Sequence, residues 1–236
     1  MNYQDYEQTT VAGVSVLRGP DALATDVEND RKFCFLLLVD SSSSMRPHTA
    51  AMNSALREFV DAIVDAEEDD AMFVAMLDFN SNHTFHGFQH VLSLPIDYQP
   101  TAMTHLYDAM VVGVDCLQAM IKKLEDEGIL ANGAMIVLSD GDDQGSTKGL
   151  ADARAARESL GEIPSGFMAF GDGAKGIAEQ LGYGPNDILE TDASASSLRK
   201  FLLIASKSAV NMSQSAASAK ASDGIFADAK SDAFDI

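Results

Sequence analysis

The sequence predicts an α/β fold: a doubly wound, mostly parallel sheet with helices on both faces and one short antiparallel edge strand. Three observations carry that reading. Apolar runs recur as FCFLLLV (33–39), MFVAMLDF (72–79), AMIVL (134–138) and GFMAF (166–170), and strands apolar on both sides belong to parallel sheets covered on each face. Amphipathic helical stripes alternate with these runs, as in βαβ architecture. The 236 residues, 46% of them apolar, suffice for one sizeable core.

Each element follows in order. A weak strand signal lies around VAGVSVL, before the first strong strand FCFLLLV. After Pro47 the apolar positions Met52, Ala55, Leu56, Phe59, Val60, Ile63 and Val64 form one helical stripe, closed by the acidic cluster EEDD. MFVAMLDF is the second buried strand. The more polar HTFHGF and HVLSLPI read as edge strands around a turn. From Thr104 the spacing Leu106, Met110, Val114, Leu117, Ile121, Leu124 predicts a long helix with Gly128 past its end as a C-cap. AMIVL leads into the loop SDGDDQGS. Then follow a helix near 149–160, the strand GFMAF, a short helix holding Ile177 and Leu181, and the strand-like DILE at 187–190. Ser194 caps a last helix carrying Leu198, Phe201, Leu202 and Ala205.

The organisation expected is an N-terminal extension at 1–30, one domain over 31–207, and an Ala/Ser-rich, flexible tail at 208–236. Within that tail Met212, Ile225, Phe226 and Phe234 are expected to be solvent-exposed, with a role as partner anchors the alternative. A formal net charge of -20 disfavours nucleic acid and anionic membrane surfaces and suits cations or a solvated acidic exterior. Cys34 and Cys116 sit in apolar patterns and form neither a disulfide framework nor a metal-ligand spacing. The start MNYQDYEQTT lacks the basic and apolar parts of a signal peptide, which gives a cytoplasmic expectation.

Ligands of open α/β sheets bind beyond the carboxyl ends of the strands, where strand order reverses. Three polar clusters fall there: Asp40, Ser42 and Ser44 after the first strong strand, Thr104 at the start of the long helix, and Asp140 after AMIVL. Three hydroxyls and two carboxylates, without thiol or imidazole, are hard oxygen donors suited to Mg²⁺ or Mn²⁺.

These motifs resemble the von Willebrand factor A domain with its metal-ion-dependent adhesion site. DSSSS resembles D-x-S-x-S, THLYDA resembles T-x-L-x-x-A, and SDG resembles T-D-G; the similarity in element order runs from about residue 31 to about 206. The resemblance implies that Asp40, Ser42, Ser44, Thr104 and Asp140 hold Mg²⁺, with Mn²⁺ or Ca²⁺ as further candidates. It also implies a non-enzymatic interaction module in which a partner protein's Asp or Glu completes the coordination. Ser43 stands where the family commonly has Gly, and Ala102-Met103 where it has Gly-Gly before the threonine. The acidic character and FGDGAKGIAEQLG are similar to the bacterial stand-alone branch of tellurium-resistance-associated proteins.

The same residues admit competing readings. DSSSS alone suits a strand-to-helix turn whose hydroxyls cap backbone amides. A metal-independent acidic scaffold is one alternative. A haloacid-dehalogenase-like phosphatase is another, with Asp40 as nucleophile, but its acid two residues on is replaced by Ser42. DGDDQGST imitates the start of an EF-hand loop, yet Ala151 stands where a bidentate Glu is needed. Asp142 and Asp143 are therefore expected to be solvated. His83, His86 and His90 are expected to be exposed edge histidines, because alternation separates them. His48 and His105 flank the proposed site. No G-x-x-x-x-G-K-[ST] phosphate loop occurs.

Overall fold

The computed structural model describes residues 3–22, 31–66, 72–171, 173–192, 194–215 and 225–226. In chain order the strands are β1 Glu7–Val11, β2 Val14–Arg18, β3 Arg31–Asp40, β4 Met72–Phe79, β5 His83–Phe85, β6 Gln89–His90, β7 Leu130–Ser139, β8 Ser165–Phe170 and β9 Ile188–Thr191. The helices are α1 Thr49–Asp65, α2 Leu106–Asp126, α3 Leu150–Ser159, α4 Ala174–Gln180 and α5 Ala195–Ser215. Among the described residues the strands form one sheet in the order β1-β2-β5-β4-β3-β7-β8-β9, with β6 also pairing β4. The central run from β4 to β9 is parallel. β5 and β6 are antiparallel to β4, and β1 is antiparallel to β2.

The apolar runs are strands because their two faces feed two cores. In β3, Cys34, Leu36 and Leu38 pack on the side of α2 and α4, whereas Phe33, Phe35, Leu37 and Val39 pack on the side of α1 and α5. β4 divides in the same way between Phe73, Ala75, Leu77 and Phe79 on one face and Met72, Val74 and Met76 on the other. A strand buried on both sides needs no polar alternation. The helix stripes supply the covers, with Met52, Leu56, Phe59 and Ile63 of α1 fully buried. Close approach of α2 to β3 depends on Gly113, where an added Cβ would lie 2.8 Å from Leu38 Cδ1.

The chain passes from β3 to β4 on one side and later returns to β7 on the other. Strand order therefore reverses between β3 and β7, which opens a crevice at their carboxyl ends. Asp40 ends β3 and Asp140 follows β7, so the topology alone brings these two acids to one place.

Several local expectations are corrected. HTFHGF is not an edge, since β5 is flanked by β4 and by β2, whose Val16 pairs with His83. In HVLSLPI only His90 joins the sheet, and Val91–Ser93 is a 3₁₀ turn. α5 continues to Ser215. Phe226, expected to be exposed, is fully buried in the core on the α1 and α5 side, with Ile225 and Met212 half-buried beside it. Phe234 and most of the expected tail lie outside the described residues, as do residues 23–30.

Candidate metal centre

Asp40 is buried at the end of β3, and both carboxylate oxygens are engaged. Oδ1 accepts the Ser42 N–H at 2.9 Å, and Oδ2 accepts the Ser139 hydroxyl at 2.6 Å. The Ser42 bond is an Asx-type turn, which bends the chain out of the strand and sends the following hydroxyls back across the strand end. The Ser42 and Ser44 hydroxyl oxygens are 2.9 Å apart, and Ser44 Oγ donates to Asp140 Oδ1 at 3.0 Å. Four of the five expected residues thus form one contiguous group of oxygens, drawn from β3 and β7. Ser42 is buried and Ser44 is open to solvent, so the group has an inner floor and an outer rim.

Thr104, the fifth residue, is buried, and its segment is laced to both sides of the crevice. Upstream, Thr101 N donates to Ser41 O at 2.6 Å and Ser43 N donates to Ala102 O at 2.9 Å. Downstream, Gln144 N donates to Thr104 O at 2.8 Å. Ala102 holds φ 61°, in the left-handed region that favours glycine. Asn80 Nδ2 ties the two loops further through Ser41 Oγ at 3.0 Å. From beneath, the buried Tyr98 hydroxyl donates to the carbonyl of Asp40. Asn53 of α1 in turn grips the backbone of Tyr98, accepting its N–H and donating to its carbonyl, each at 3.0 Å.

The loop carrying Asp140 is built by exchange with the start of α2. The first turn of a helix leaves N–H groups without intrahelical partners. Tyr107 N donates to Asp143 Oδ1 at 3.2 Å, and Asp108 N donates to Ser146 Oγ at 3.0 Å. Asp108 reciprocates from its buried side chain, where Oδ1 accepts Lys148 N at 2.8 Å and Thr147 Oγ1 at 3.0 Å, and Oδ2 accepts Thr147 N at 3.0 Å. Asp143 is therefore a helix cap supplied from a distant loop, a correction to the solvated residue expected. Sequence reasoning missed Asp108, Ser139 and Tyr98. Asp108 left a signal, an acid inside the buried face of a helix's first turn.

The histidines are also corrected. His83 and His86 are buried. His86 Nε2 meets Asp78 Oδ2 at 2.8 Å and its Nδ1 meets the Tyr6 hydroxyl at 2.8 Å. A carboxylate only accepts, so Nε2–H donates to Asp78 and Tyr6 donates to Nδ1. Burial holds the His83 imidazole below its ordinary pKa. Among the described residues His105 Nε2 is buried without a hydrogen-bond partner, while His90 accepts from Leu92 N at 3.4 Å.

Electrostatically the floor is an acid held against its preference. Burial pushes the Asp40 carboxyl up to about 6, the bonds from Ser139 and Ser42 pull it back, and the charge of Asp140 adds to the rise. A positive charge at this spot relieves both the desolvation and the repulsion.

No family model matches the chain, and no curated protein matches it. Solved structures do. The pilus adhesin SpaC from Lactobacillus rhamnosus GG, in its open conformation, is 16% identical over 82% of this chain and 31% of its own, with a TM-score of 0.57. The PilB minor pilin from Streptococcus sanguinis is 13% identical over 80% of this chain and 63% of its own, with a TM-score of 0.55. Proximal thread matrix protein 1 from the mussel byssus, described with a zinc-occupied MIDAS motif, is 16% identical over 76% of this chain and 46% of its own, with a TM-score of 0.54. The chain thus spans about a third of the adhesin's length and less than two thirds of the minor pilin's. The fold is α/β, a mostly parallel, helix-covered sheet of the von Willebrand factor A or Rossmann-like kind.

The donor set fits a hard divalent cation. Neighbouring ligands around an octahedral Mg²⁺ with bonds of 2.0–2.1 Å lie about 3 Å apart, and the Ser42–Ser44 and Ser44–Asp140 oxygens are 2.9 and 3.0 Å apart. A hydroxyl that donates its proton to a carboxylate keeps two lone pairs. Ser44 can therefore remain bonded to Asp140 and still offer oxygen. Among the described residues no group of three or more His, Cys, Asp or Glu side chains could hold a metal, so any cation here depends on the hydroxyls. Nor is any helix among them long and apolar enough to cross a membrane.

Proposed function

We propose that this chain is a protein-interaction module of the von Willebrand factor A type. In this reading Asp40, Ser42, Ser44, Thr104 and Asp140 hold one divalent cation, Mg²⁺ by the hardness and spacing of the donors. The bound ion would supply a positive charge with room for one outside carboxylate, offered by an Asp or Glu of a protein partner. The chain's own residues do the remaining work. Asp40 sets negative charge at the floor, Ser139 and Ser42 aim its two oxygens, and Ser44 bridges β3 to Asp140. The reciprocal bonds between α2 and the 143–148 loop fix where Asp140 stands.

One observation carries the reading: the Ser44 hydroxyl meets the Asp140 carboxylate at 3.0 Å across a sequence separation of 96 residues, beside a buried acid. A turn that merely capped its own amides would have no need of a second strand's carboxylate. The phosphatase alternative lacks a general acid, because the residue two positions after Asp40 presents a hydroxyl already engaged with Ser44. Similarity to adhesin and pilin structures agrees with an interaction module, and the subfamily similar to tellurium-resistance-associated proteins remains part of the proposal.

Calorimetric titration of Mg²⁺, Mn²⁺ and Ca²⁺ into the protein and into Ser44→Ala tests it. Binding is expected for wild type and a drop of tenfold or more for the variant, about the worth of one charge-assisted contact. Pull-down of partners with and without EDTA is the second arm. Partners retained equally under chelation would replace the metal reading with the acidic scaffold.

A further inference from the structure

At the opposite pole of the sheet from the oxygen cluster, the amino end of β8 carries Gly166, and the space its missing side chain leaves is filled from the C-terminal part of the chain. An added Cβ would lie 2.5 Å from Ile225 Cγ2 and 2.6 Å from the Phe226 ring. The backbone of the pair is held as firmly as its side chains. Ile225 N donates to Asp187 Oδ1 at 3.1 Å, Phe226 N donates to Asn186 O at 3.3 Å, and Ser208 Oγ of α5 donates to Ile225 O at 3.3 Å. Asp187 is fixed in turn: its N–H donates to Gly184 O at 2.9 Å, and its Oδ2 lies 3.9 Å from Arg157 Nη2.

We propose that Gly166, Asn186, Asp187 and Ser208 form a peptide-binding seat for an aliphatic–aromatic dipeptide, occupied in this structure by the chain's own Ile225–Phe226. Every property of the occupant is read by a separate group. The glycine slot takes the flat ring, the fixed carboxylate and a backbone carbonyl take two consecutive N–H groups, and a hydroxyl takes the carbonyl between them. Such a set recognises main chain and side chain together, as peptide-binding sites do. A ring buried at 0% exposure in the core is a large part of the apolar contact there. Residues 216–224 tether the pair to α5, and short tethers give effective concentrations on the order of mM. The resident segment is therefore a competitive plug, and a peptide of the same chemistry arriving from outside must displace it.

The test uses the full chain, which has no tryptophan. In Phe226→Trp the single indole is expected to emit as a buried group and to resist acrylamide quenching. Excess synthetic peptide spanning residues 221–230 shifts the emission to the red, and the same peptide with Phe226→Ala does not. Adding Gly166→Ala to the tryptophan variant expels the indole without any peptide. In the second arm, full-length Phe226→Ala binds labelled 221–230 peptide roughly tenfold or more tightly than wild type does. An exposed indole in a folded Phe226→Trp protein overturns the proposal. So does a buried indole that no concentration of peptide displaces, when folded Phe226→Ala also fails to bind. If Phe226→Ala does not fold, the tryptophan arm decides alone.

Discussion

Replacing Asp40 by Asn separates the cost of a buried charge from its use. The wild-type carboxyl is pushed from 3.8 up to about 6, chiefly by burial. The folded state therefore binds this proton more tightly than the unfolded chain, and stability falls as pH rises from about 4 to about 6. Above that window the ionised group costs on the order of 3 kcal/mol, at 1.36 kcal/mol for each pKa unit. Asp40→Asn removes that cost. The amide's carbonyl can still accept from Ser42 N, and its NH₂ can donate to Ser139 Oγ only if the serine proton turns to the longer contact with Gly141 O at 3.4 Å, a weaker arrangement that costs about 1 kcal/mol. In EDTA at pH about 8, Asp40→Asn should be more stable than wild type by about 2 kcal/mol, and at pH about 4 less stable by about 1 kcal/mol. Mg²⁺ at about 100 times its Kd should then raise wild type alone, by about 2.7 kcal/mol. Urea unfolding followed by circular dichroism reads all of these. A variant less stable than wild type at pH about 8 in EDTA, or one that gains as much from Mg²⁺, would refute the argument that Asp40 is a buried charge kept for a cation.

Other consequences follow from named contacts. Ala102→Gly relieves a left-handed φ of 61° and should raise stability by about 0.5–1 kcal/mol, read as a higher urea midpoint at unchanged slope. Asp108→Asn cannot accept all of the bonds from Thr147 and Lys148, and should cost about 2 kcal/mol. Faster hydrogen exchange confined to those amides and weaker metal binding would accompany the loss, although Asp108 touches no expected ligand. His86→Ala breaks the hydrogen-bonded chain from Tyr6 to Asp78 and should cost about 2 kcal/mol, with exchange rising first in β1 and β2. Gly113→Ala sets a Cβ 2.8 Å from Leu38 Cδ1 and should cost about 1–3 kcal/mol by pushing α2 off β3.

How much of this was legible in the sequence depended on the range of the interaction. FCFLLLV and MFVAMLDF announced central strands because burial on both faces leaves a local, one-dimensional trace. The helix stripes did the same through their period. That Asp40, Ser42, Ser44 and Asp140 gather at one end of the sheet was legible because strand ends are chemically conspicuous places for polar residues, and topology does the rest. The histidines misled because a short polar strand looks exposed. Whether His83 and His86 are covered depends on β2 and Tyr6, far away in sequence, which no local pattern reports. Phe226 misled for the same reason: its surroundings are rich in Ala, Ser and Asp, and it is covered by residues far away in sequence, Gly166 among them, sixty residues earlier.

Asp143 shows why the missed residues matter for the site as much as the expected ones. The loop from Asp140 to Lys148 has little apolar surface of its own and would wander if held only by Ser44. It is instead fastened to the first turn of α2, whose unpaired N–H groups need acceptors in any case. Asp143 and Ser146 satisfy the helix, and Asp108 satisfies the loop, so neither element completes its hydrogen bonding without the other. Thr104 lies immediately before that turn, and its carbonyl takes Gln144 N. Fixing the helix start therefore fixes Thr104 and Asp140 together, against a β3 end already aimed by Ser139 and Ser42. In the proposed reading, the side chains of Asp40, Ser42, Ser44 and Asp140 are thus held by their own hydrogen bonds before any cation arrives, and little conformational entropy would remain to be lost on binding.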